Sequence, residues 1–354
     1  FLFYEIAVLP MYLLIGIWGT GNKEYSAMKL TLYLMVGSAL ILAGILGLYF
    51  AAGLGTFDFD MLLTVKYSRI FQIVFFPILF IGFGILAALW PFHTWSPDGH
   101  ASAPTAVSML HAGVLMKLGA YGCLVVAVWL LPEGARFWLP AVALLTVVNI
   151  VYGAIGAVAQ KDLKYIVAYS SVSHMGIVLL GIAAGKSAVA LSGSVLQMFS
   201  HGIMTGLFFG LVGMVYGRTH TRMIGDMSGL AKKMPLLAVF FVMTGLTSLG
   251  LPGLSGFVAE IAVFIGSFSV YPVITVICVT GIVFTAFYVL RVIQKIFYGP
   301  LKKEFAGLKD ANVVEYIALF ILMFFIVAVG LYPFYIMKVI HSSVLPIAAR
   351  LGGM

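Results

Sequence analysis

Residues Ser248–Glu260 read SLGLPGLSGFVAE and lie inside an apolar run from about Pro235 to Pro272. Pro252 lacks a backbone N–H donor, and its glycine neighbours loosen the helical ladder, so we predict that a helix through this run is broken. Glu260 follows the proline, and a carboxylate at bilayer depth costs about 2.5 kcal/mol or more. Broken helices persist at membrane depth where they are packed in protein or line a water-filled cavity. The stretch therefore predicts an ion or proton site; the alternative is a proline kink with its carboxylate satisfied by a neighbouring hydroxyl.

The composition is that of an integral membrane protein. Of the 354 residues, 62% are hydrophobic and 9% are charged, and the mean hydropathy is +1.12. The apolar runs are continuous, which predicts an all-α bundle of transmembrane helices and excludes a β-barrel. The net charge of +8 fits basic cytoplasmic loops better than a nucleic-acid partner. Cys123 and Cys278 are isolated and indicate packing residues, and no nucleotide, haem or zinc motif is present, so we expect no cofactor on this chain.

Ten apolar segments follow one another along the chain and predict ten membrane spans. They cover about 1–18, 28–52, 70–92, 104–131, 137–159, 163–184, 188–217, 235–270 (broken), 273–298 and 314–340. If the spans alternate in direction, most loop lysines and arginines lie on one side, which the positive-inside rule assigns to the cytoplasm. The chain begins FLFYEIAVLP, with a span already under way at Phe1. We therefore expect residues 1–354 to form a single membrane domain that lacks earlier helices of its parent protein.

Titratable side chains inside the spans are further candidates. Lys117 lies roughly 20 Å past Pro104 along its helix, too deep for its ammonium group to reach the surface. A lone helical histidine is more often a structural residue than a proton carrier. Two of them beside a buried lysine and two buried carboxylates favour a carrier role, because intramembrane ionisable groups are functional candidates by default. We expect a chain at mid-membrane depth in the order Glu5, Lys117, His174, His201 and Glu260.

Two further features concern the third and fourth spans. The loop PFHTWSPDGHASAPT holds His93, Asp98 and His100, but its prolines and aromatic residues indicate a tight, buried turn more than a metal site. His111 and Lys117 are six positions apart, which places them about 240° apart on a regular α-helix, so they do not share a face. The loop lies five spans before the GLPGLSG break. This spacing is typical of transporters built from inverted five-helix repeats, each with one broken helix.

Six stretches occur here in the order found in subunit M of respiratory complex I, the counterpart of mitochondrial chain 4. They are FYEIAVLPMYLLIG, FHTWSPDGHASAPTAVS, GVLMKLGAYG, DLKYIVAYSSVSHMG, LQMFSHGIMTGLFF and GLPGLSGFVAE. The sequence thus resembles this family, which is related to the large subunits of multi-subunit sodium/proton antiporters, over nearly its whole length. The resemblance implies fourteen helices in the full protein, of which this chain holds the fifth to the fourteenth, in two inverted five-helix repeats with discontinuous helices.

The resemblance also implies roles for individual residues. Glu5 resembles the coupling glutamate of the family and Lys117 its central lysine. The connecting histidines correspond to His174 and His201, and Glu260 corresponds to the carboxylate of the second broken helix. The family has a second lysine seven residues before the FHTW histidine, where this chain has Leu86. His111 is either a substitute for that lysine or a packing variant, and the packing variant is favoured.

Three functions remain open at this point. The first is a proton-translocating membrane-arm subunit of a complex I-like NADH-quinone oxidoreductase, multi-pass in a bacterial inner membrane. Its partners would be neighbouring antiporter-like subunits and subunits that carry FMN, iron–sulfur clusters and quinone. The chain would hold no redox centre of its own. The second is a sodium/proton antiporter subunit without a redox partner. The third is a scaffold whose pumping is impaired because Leu86 replaces the lysine of the family.

Overall fold

A computed structural model describes residues 1–353, and helices dominate this part of the chain. Eight helices are long and apolar enough to cross a membrane. Leu2–Trp18 and a broken pair of shorter helices bring the spans in residues 1–353 to ten, which is the predicted number. The multi-pass, all-helical fold is therefore confirmed.

The helices are numbered here in chain order. They are α1 Leu2–Trp18, α2 Lys23–Ala52, α3 Phe59–Thr64, α4 Arg69–Leu86, α5 Trp95–Ser102, α6 Thr105–Trp129, α7 Pro132–Ala159, α8 Leu163–Ala183, α9 Ala188–Thr219, α10 Pro235–Ser248, α11 Ser255–Phe268, α12 Pro272–Phe297, α13 Val313–Leu331 and α14 Phe334–Arg350. Two short helices lie in segments predicted as loops. They are α3 in the polar loop after the second span, and α5 in the loop that follows the third.

The predicted end of the last span is wrong. A single helix over 314–340 was expected, but α13 ends at Leu331 and α14 begins at Phe334. Pro333 separates them, because a residue before proline is disfavoured in the helical conformation and proline itself donates no hydrogen bond. Helix α14 then returns against the bundle and buries Val344 and Ile347. The apolar run hid this break because hydropathy alone does not show where one helix ends and the next begins.

Helix α8 is the centre of the bundle. Of its most apolar window, 94% is buried inside the protein, against 22% for the peripheral helix α13. It packs on α7 and α9, and α9 packs in turn on α11. Helices α9 and α11 are antiparallel, since Ser200 bonds Ser255 and Gln197 bonds Glu260. The two helices that carry the predicted histidines are thus adjacent and both face the second broken span.

The two broken spans lie five spans apart. The third span ends with α4 at Leu86, and the buried helix α5 follows it after an irregular turn. The eighth consists of α10 and α11, which are separated by residues 249–254. Spans three and eight run in opposite directions when successive spans alternate. This arrangement agrees with the predicted inverted repeat with one discontinuous helix in each half.

Candidate functional site

The second break lies where the proline and glycines predicted it. Gly250 and Gly253 have φ values of +75° and +93°, a left-handed conformation that glycine adopts without steric cost. A side chain at Gly256 would collide with the carbonyl oxygen of Thr247, so a glycine there lets α11 begin against the end of α10. The predicted discontinuity near Leu251–Ser255 is confirmed.

Glu260 faces the interior of the protein, as predicted, and is 5% exposed. Its Oε1 atom lies 3.1 Å from Nδ1 of His174, an electrostatic contact and not an aligned hydrogen bond. Gln197 donates an amide hydrogen bond of 3.3 Å to the same oxygen. A buried carboxylate needs such partners, since leaving it unpaired in an apolar interior is costly. The glutamate is therefore held at the junction of α8, α9 and α11.

A row of titratable side chains extends from Glu260 to Lys117. The His174 and His201 rings lie 5.2 Å apart between centroids, and Nδ1 of His201 lies 2.8 Å from Nζ of Lys117. The ammonium group of Lys117 also donates to the carbonyl oxygen of Ala112. Four of the five predicted residues are thus brought together. We refer to Lys117, His201, His174 and Glu260 as the relay row.

The predicted order of the histidines is wrong. Lys117 was expected to meet His174 first, but it contacts His201. The reason is a close helix crossing, because a Cβ at Gly202 would lie 2.7 Å from the carbonyl oxygen of Gly113. The two glycines let α9 approach α6 closely, and this contact brings His201 next to the lysine. His174 lies on α8, and its Nε2 atom is 3.0 Å from the hydroxyl of Ser248, the last residue of α10.

A small cavity lies beside the Glu260 end of the relay row. Its walls are partly apolar, and they include five polar side chains, those of Ser173, His174, Ser248, Glu260 and Thr285. Its volume is about 10 Å³, which is close to the minimum that one water molecule needs. The polar lining supplies the several hydrogen-bond partners that a buried water requires. The site can therefore hold a water molecule in contact with both the histidine and the glutamate.

The helix that carries Lys117 is not a regular α-helix. Residues His111–Leu115 form a π-turn, and Cys123–Trp129 form a second. The predicted separation of 240° between His111 and Lys117 assumed 3.6 residues per turn, so it does not apply across a π-turn. Such turns are frequent at functional sites. The sequence carries no distinct signal for them.

The first break is held by a residue that the sequence analysis missed. The amide group of Asn149 on α7 donates to the carbonyl oxygen of Ala88 and accepts from the backbone N–H of Trp90. Ala88 has a φ of +58°, which is costly for a residue with a Cβ. The asparagine thereby stabilises the turn after α4. The only signal in the sequence was one amide side chain within an otherwise apolar span.

Glu5 is not joined to the relay row by any contact among the described residues. It lies on α1, and its Oε1 atom is buried without a protein partner in the described part of the chain. The outer face of α1 is apolar and exposed, with Leu2 at 73%, Ile6 at 65% and Leu9 at 65%. Glu5 therefore lies at the edge of the bundle beside a surface suited to a lipid or protein neighbour.

Leu86 is 1% exposed and packs against α6, where a Cβ at Gly119 would lie 2.9 Å from its carbonyl carbon. Leu86 and Gly119 both belong to the apolar packing between α4 and α6. Among the described residues, no hydrogen bond or ion pair joins His111 to Leu86 or Glu5. The neighbours of His111 are Trp95 and His100 on α5. His111 thus lies on α6 next to α5, whereas Leu86 ends α4.

The described residues form ten spans, two of them discontinuous, and a buried lysine–histidine–glutamate row ends at one of the breaks. These features define an antiporter-like membrane subunit. The family model described as NADH:quinone oxidoreductase/Mrp antiporter, TM, matches residues 1–285. The chain belongs to this family, and the resemblance inferred from the six stretches is confirmed.

The similarity extends over nearly the whole chain. NAD(P)H-quinone oxidoreductase chain 4 1 of Synechococcus elongatus is 41% identical, over 99% of this chain and 67% of the relative. NADH-quinone oxidoreductase subunit M of Rickettsia bellii is 39% identical, over 97% and 70%. A chain of respiratory complex I from Thermus thermophilus matches with a TM-score of 0.95 and 30% identity, over 99% of this chain and 74% of that one. The chain therefore spans about two thirds to three quarters of these proteins.

Proposed function

We propose that residues 1–354 act as one membrane domain in a proton-translocating subunit of the membrane arm of an NADH-quinone oxidoreductase. The observation that carries this proposal is the continuity of the relay row from Lys117 to Glu260. The similarity to subunit M and chain 4 proteins supports it. The chain supplies no redox chemistry, so the energy comes from partner subunits that carry FMN, iron–sulfur clusters and quinone. We place the assembly in a bacterial inner membrane.

The contacts define how a proton would move along the row. The Lys117 ammonium donates to Nδ1 of His201, which takes the proton as the lysine becomes neutral. A charge in an apolar interior is costly unless it is paired, which favours the passage of a proton between neighbouring groups of the row. His174 presents Nε2 to Ser248 and Nδ1 to Glu260. His201 takes the proton at Nδ1 and gives one from Nε2, which has no protein partner among the described residues, through water to the Nε2 atom of His174 across the 5.2 Å between the ring centroids. His174 then gives a proton from Nδ1 to the Glu260 carboxylate.

Coupling within the row follows from its low dielectric surroundings. Lys117, His174, His201 and Glu260 are at most 9% exposed. Charges a few ångströms apart in such an interior interact far more strongly than in water, so the protonation of one group sets that of the next. Glu5 lies outside the row at the edge of the bundle, where a charge on a neighbouring subunit can act on α1. We assign Glu5 to coupling between subunits and the row to proton movement within this one.

Replacement of Lys117 tests this function. We expect Lys117→Ala to reduce the proton-to-electron ratio of the assembled complex in sealed membrane vesicles, because the row loses its first carrier. The matched control is Leu118→Ala, since Leu118 is the next residue on the same helix and is 43% exposed. The control should leave the ratio unchanged. An unchanged ratio in Lys117→Ala would refute the proposal, and a ratio that falls only when sodium is present would identify sodium/proton exchange instead.

A further inference from the structure

A second cluster of titratable side chains lies outside the relay row. His100 on α5 and His111 at the start of the π-turn are both fully buried, and their rings lie 4.4 Å apart between centroids. Trp95 stacks on His111 at 5.1 Å, and Phe209 stacks on His100 at 4.9 Å. Three helices, α5, α6 and α9, thus enclose a pair of imidazoles between two aromatic rings. We refer to His100 and His111 as the imidazole pair.

None of the four ring nitrogens of the pair has a hydrogen-bond partner among the described residues. Each neutral imidazole carries one N–H donor and one acceptor, and an unpaired buried polar group is costly. An apolar ring of similar size would fill the same stack without that cost. Packing alone therefore does not account for two histidines here. Buried polar groups of this kind are ordinarily satisfied by ordered water, which also conducts protons.

The charged residues near the imidazole pair show where the pair lies relative to the cytoplasmic side. Lys164 donates to the carbonyl oxygen of Ala103, just beyond the end of the helix that carries His100, and Lys117 follows His111 by six residues on the same helix. Lys164 is 4% exposed and lies in the first turn of α8, next to the Asp162–Arg222 ion pair. That end of α8 is on the side whose loops carry most of the basic residues. The pair thus lies between the cytoplasmic end of α8 and the lysine at the start of the relay row.

We propose that the imidazole pair, with water bound between its ring nitrogens and Lys117, holds one exchangeable proton and reloads Lys117 from the cytoplasmic side. This inference rests on the proposed function. While Lys117 is cationic, the burial of the two rings and the nearby ammonium group both disfavour a charge on the pair. After Lys117 passes its proton to His201, the repulsion is lost, and the pair with its bound water takes up a proton from the cytoplasm. The His111 N–H then gives a proton through water to the neutral lysine amine.

The geometry supports this direction of transfer. His111 precedes Lys117 on the same helix, and the π-turn between them departs from the regular spacing that would point the two side chains apart. Gly99 lies against His111, because a Cβ at the glycine would be 3.7 Å from Cε1 of the histidine. Helix α5 therefore approaches α6 closely enough to bring the rings of His100 and His111 together. The imidazole pair also explains how protons reach the central lysine in this chain, which has Leu86 and no second lysine in the first broken helix.

The test uses His100→Phe and His111→Phe in the assembled complex. Phenylalanine keeps the aromatic stack but cannot carry a proton. We expect each variant to lower the proton-to-electron ratio to the value found with Lys117→Ala, while electron transfer and assembly remain normal. The matched control is Trp95→Phe, which alters the same stack without removing a titratable group. This control should keep the native ratio.

The outcomes separate this inference from the proposed function. A reduced ratio in Lys117→Ala with native ratios in both histidine variants would overturn the imidazole pair and leave the function standing. Native ratios in all three would refute the function itself. A ratio that falls equally in Trp95→Phe would show that the stack acts through packing. A second measurement is independent of pumping: a cryo-EM map that resolves water should show density within hydrogen-bond distance of the His100 and His111 nitrogens, and a dry pair would contradict the proposal.

Discussion

Gly250 lies directly against the carboxylate of Glu260: a Cβ on the glycine would be 3.0 Å from Oε2, and the glycine has a φ of +75°. The backbone of the break therefore forms one wall of the glutamate site. The position requires glycine for two separate reasons, the left-handed conformation and the space that the carboxylate occupies.

Gly250→Ala is expected to impair proton translocation because the new methyl group displaces the Glu260 carboxylate. It should also lower the free energy of unfolding by about 1–2 kcal/mol, the cost of a left-handed conformation with a Cβ. Gly253→Ala is the matched control, since its φ is +93° but the nearest atom to a new Cβ is Leu331 Cδ2 at 3.8 Å. Both variants should lose thermal stability, and only Gly250→Ala should lose pumping. Equal pumping losses in the two variants would show that backbone strain in the break impairs pumping without displacement of the Glu260 carboxylate.

Ser248→Ala removes the hydroxyl that contacts Nε2 of His174 at 3.0 Å. One hydrogen bond is worth about 0.5–1.5 kcal/mol, so we expect proton translocation to slow by up to about tenfold. Ser171→Ala is the control, because Ser171 is equally buried but bonds only the carbonyl oxygen of Val167 in its own helix. The rate of acidification in vesicles measures the effect. The same rate for Ser248→Ala and Ser171→Ala would exclude Ser248 from the pathway.

Leu86→Lys introduces the lysine that the family carries in the first broken helix. We expect an unchanged proton-to-electron ratio, because the imidazole pair already reloads Lys117. The variant should also lose stability, since Leu86 is 1% exposed and a buried ammonium group is costly unless it is paired. Leu86→Met, which conserves volume, is the control and should cost less than about 1.5 kcal/mol. An increase in the ratio would mean that the native site is deficient.

Asn149→Leu is expected to destabilise the turn after α4. It leaves the Trp90 N–H and the Ala88 carbonyl without their side-chain partner, and each unsatisfied buried group costs about 1–3 kcal/mol. Thr146→Val is the control, because the Thr146 hydroxyl lies about one turn earlier and bonds the carbonyl oxygen of Ala143 in its own helix, away from the turn. Thermal unfolding of the purified complex should show a clearly lower midpoint for the asparagine variant alone. Similar midpoints would show that the turn does not depend on this amide.

Features set by local chemistry could be predicted from the sequence. The break at Pro252 follows from a missing donor and from glycines that tolerate a positive φ. The burial of Lys117 follows from its depth in an apolar run. The family resemblance assigned the same residues to a proton row. These predictions depend on residues close together in the chain, so they required no knowledge of how the helices pack.

Features set by contacts between helices could not be predicted in the same way. The order of His174 and His201 depends on the crossing at Gly113 and Gly202, and spacing along the chain says nothing about which helices meet. The pairing of His100 with His111 depends on a π-turn and on the fold of α5. The role of Asn149 depends on a turn 59 residues away in the chain. The end of α13 at Leu331 was missed because an apolar run continues past Pro333.

The relay row lies near the middle of the membrane-spanning helices. Lys117, His174 and His201 are near the midpoints of α6, α8 and α9, and Glu260 lies just beyond the central break of the eighth span. Under the proposed function, a proton that moves along the row travels parallel to the bilayer and crosses little of the membrane voltage. That voltage is worth about 2.3 kcal/mol per charge for each 100 mV, so electrical work falls almost entirely on the steps that bring the proton to the row and carry it away. Transfer within the row should be insensitive to the membrane voltage, whereas the overall pumping rate should depend on it.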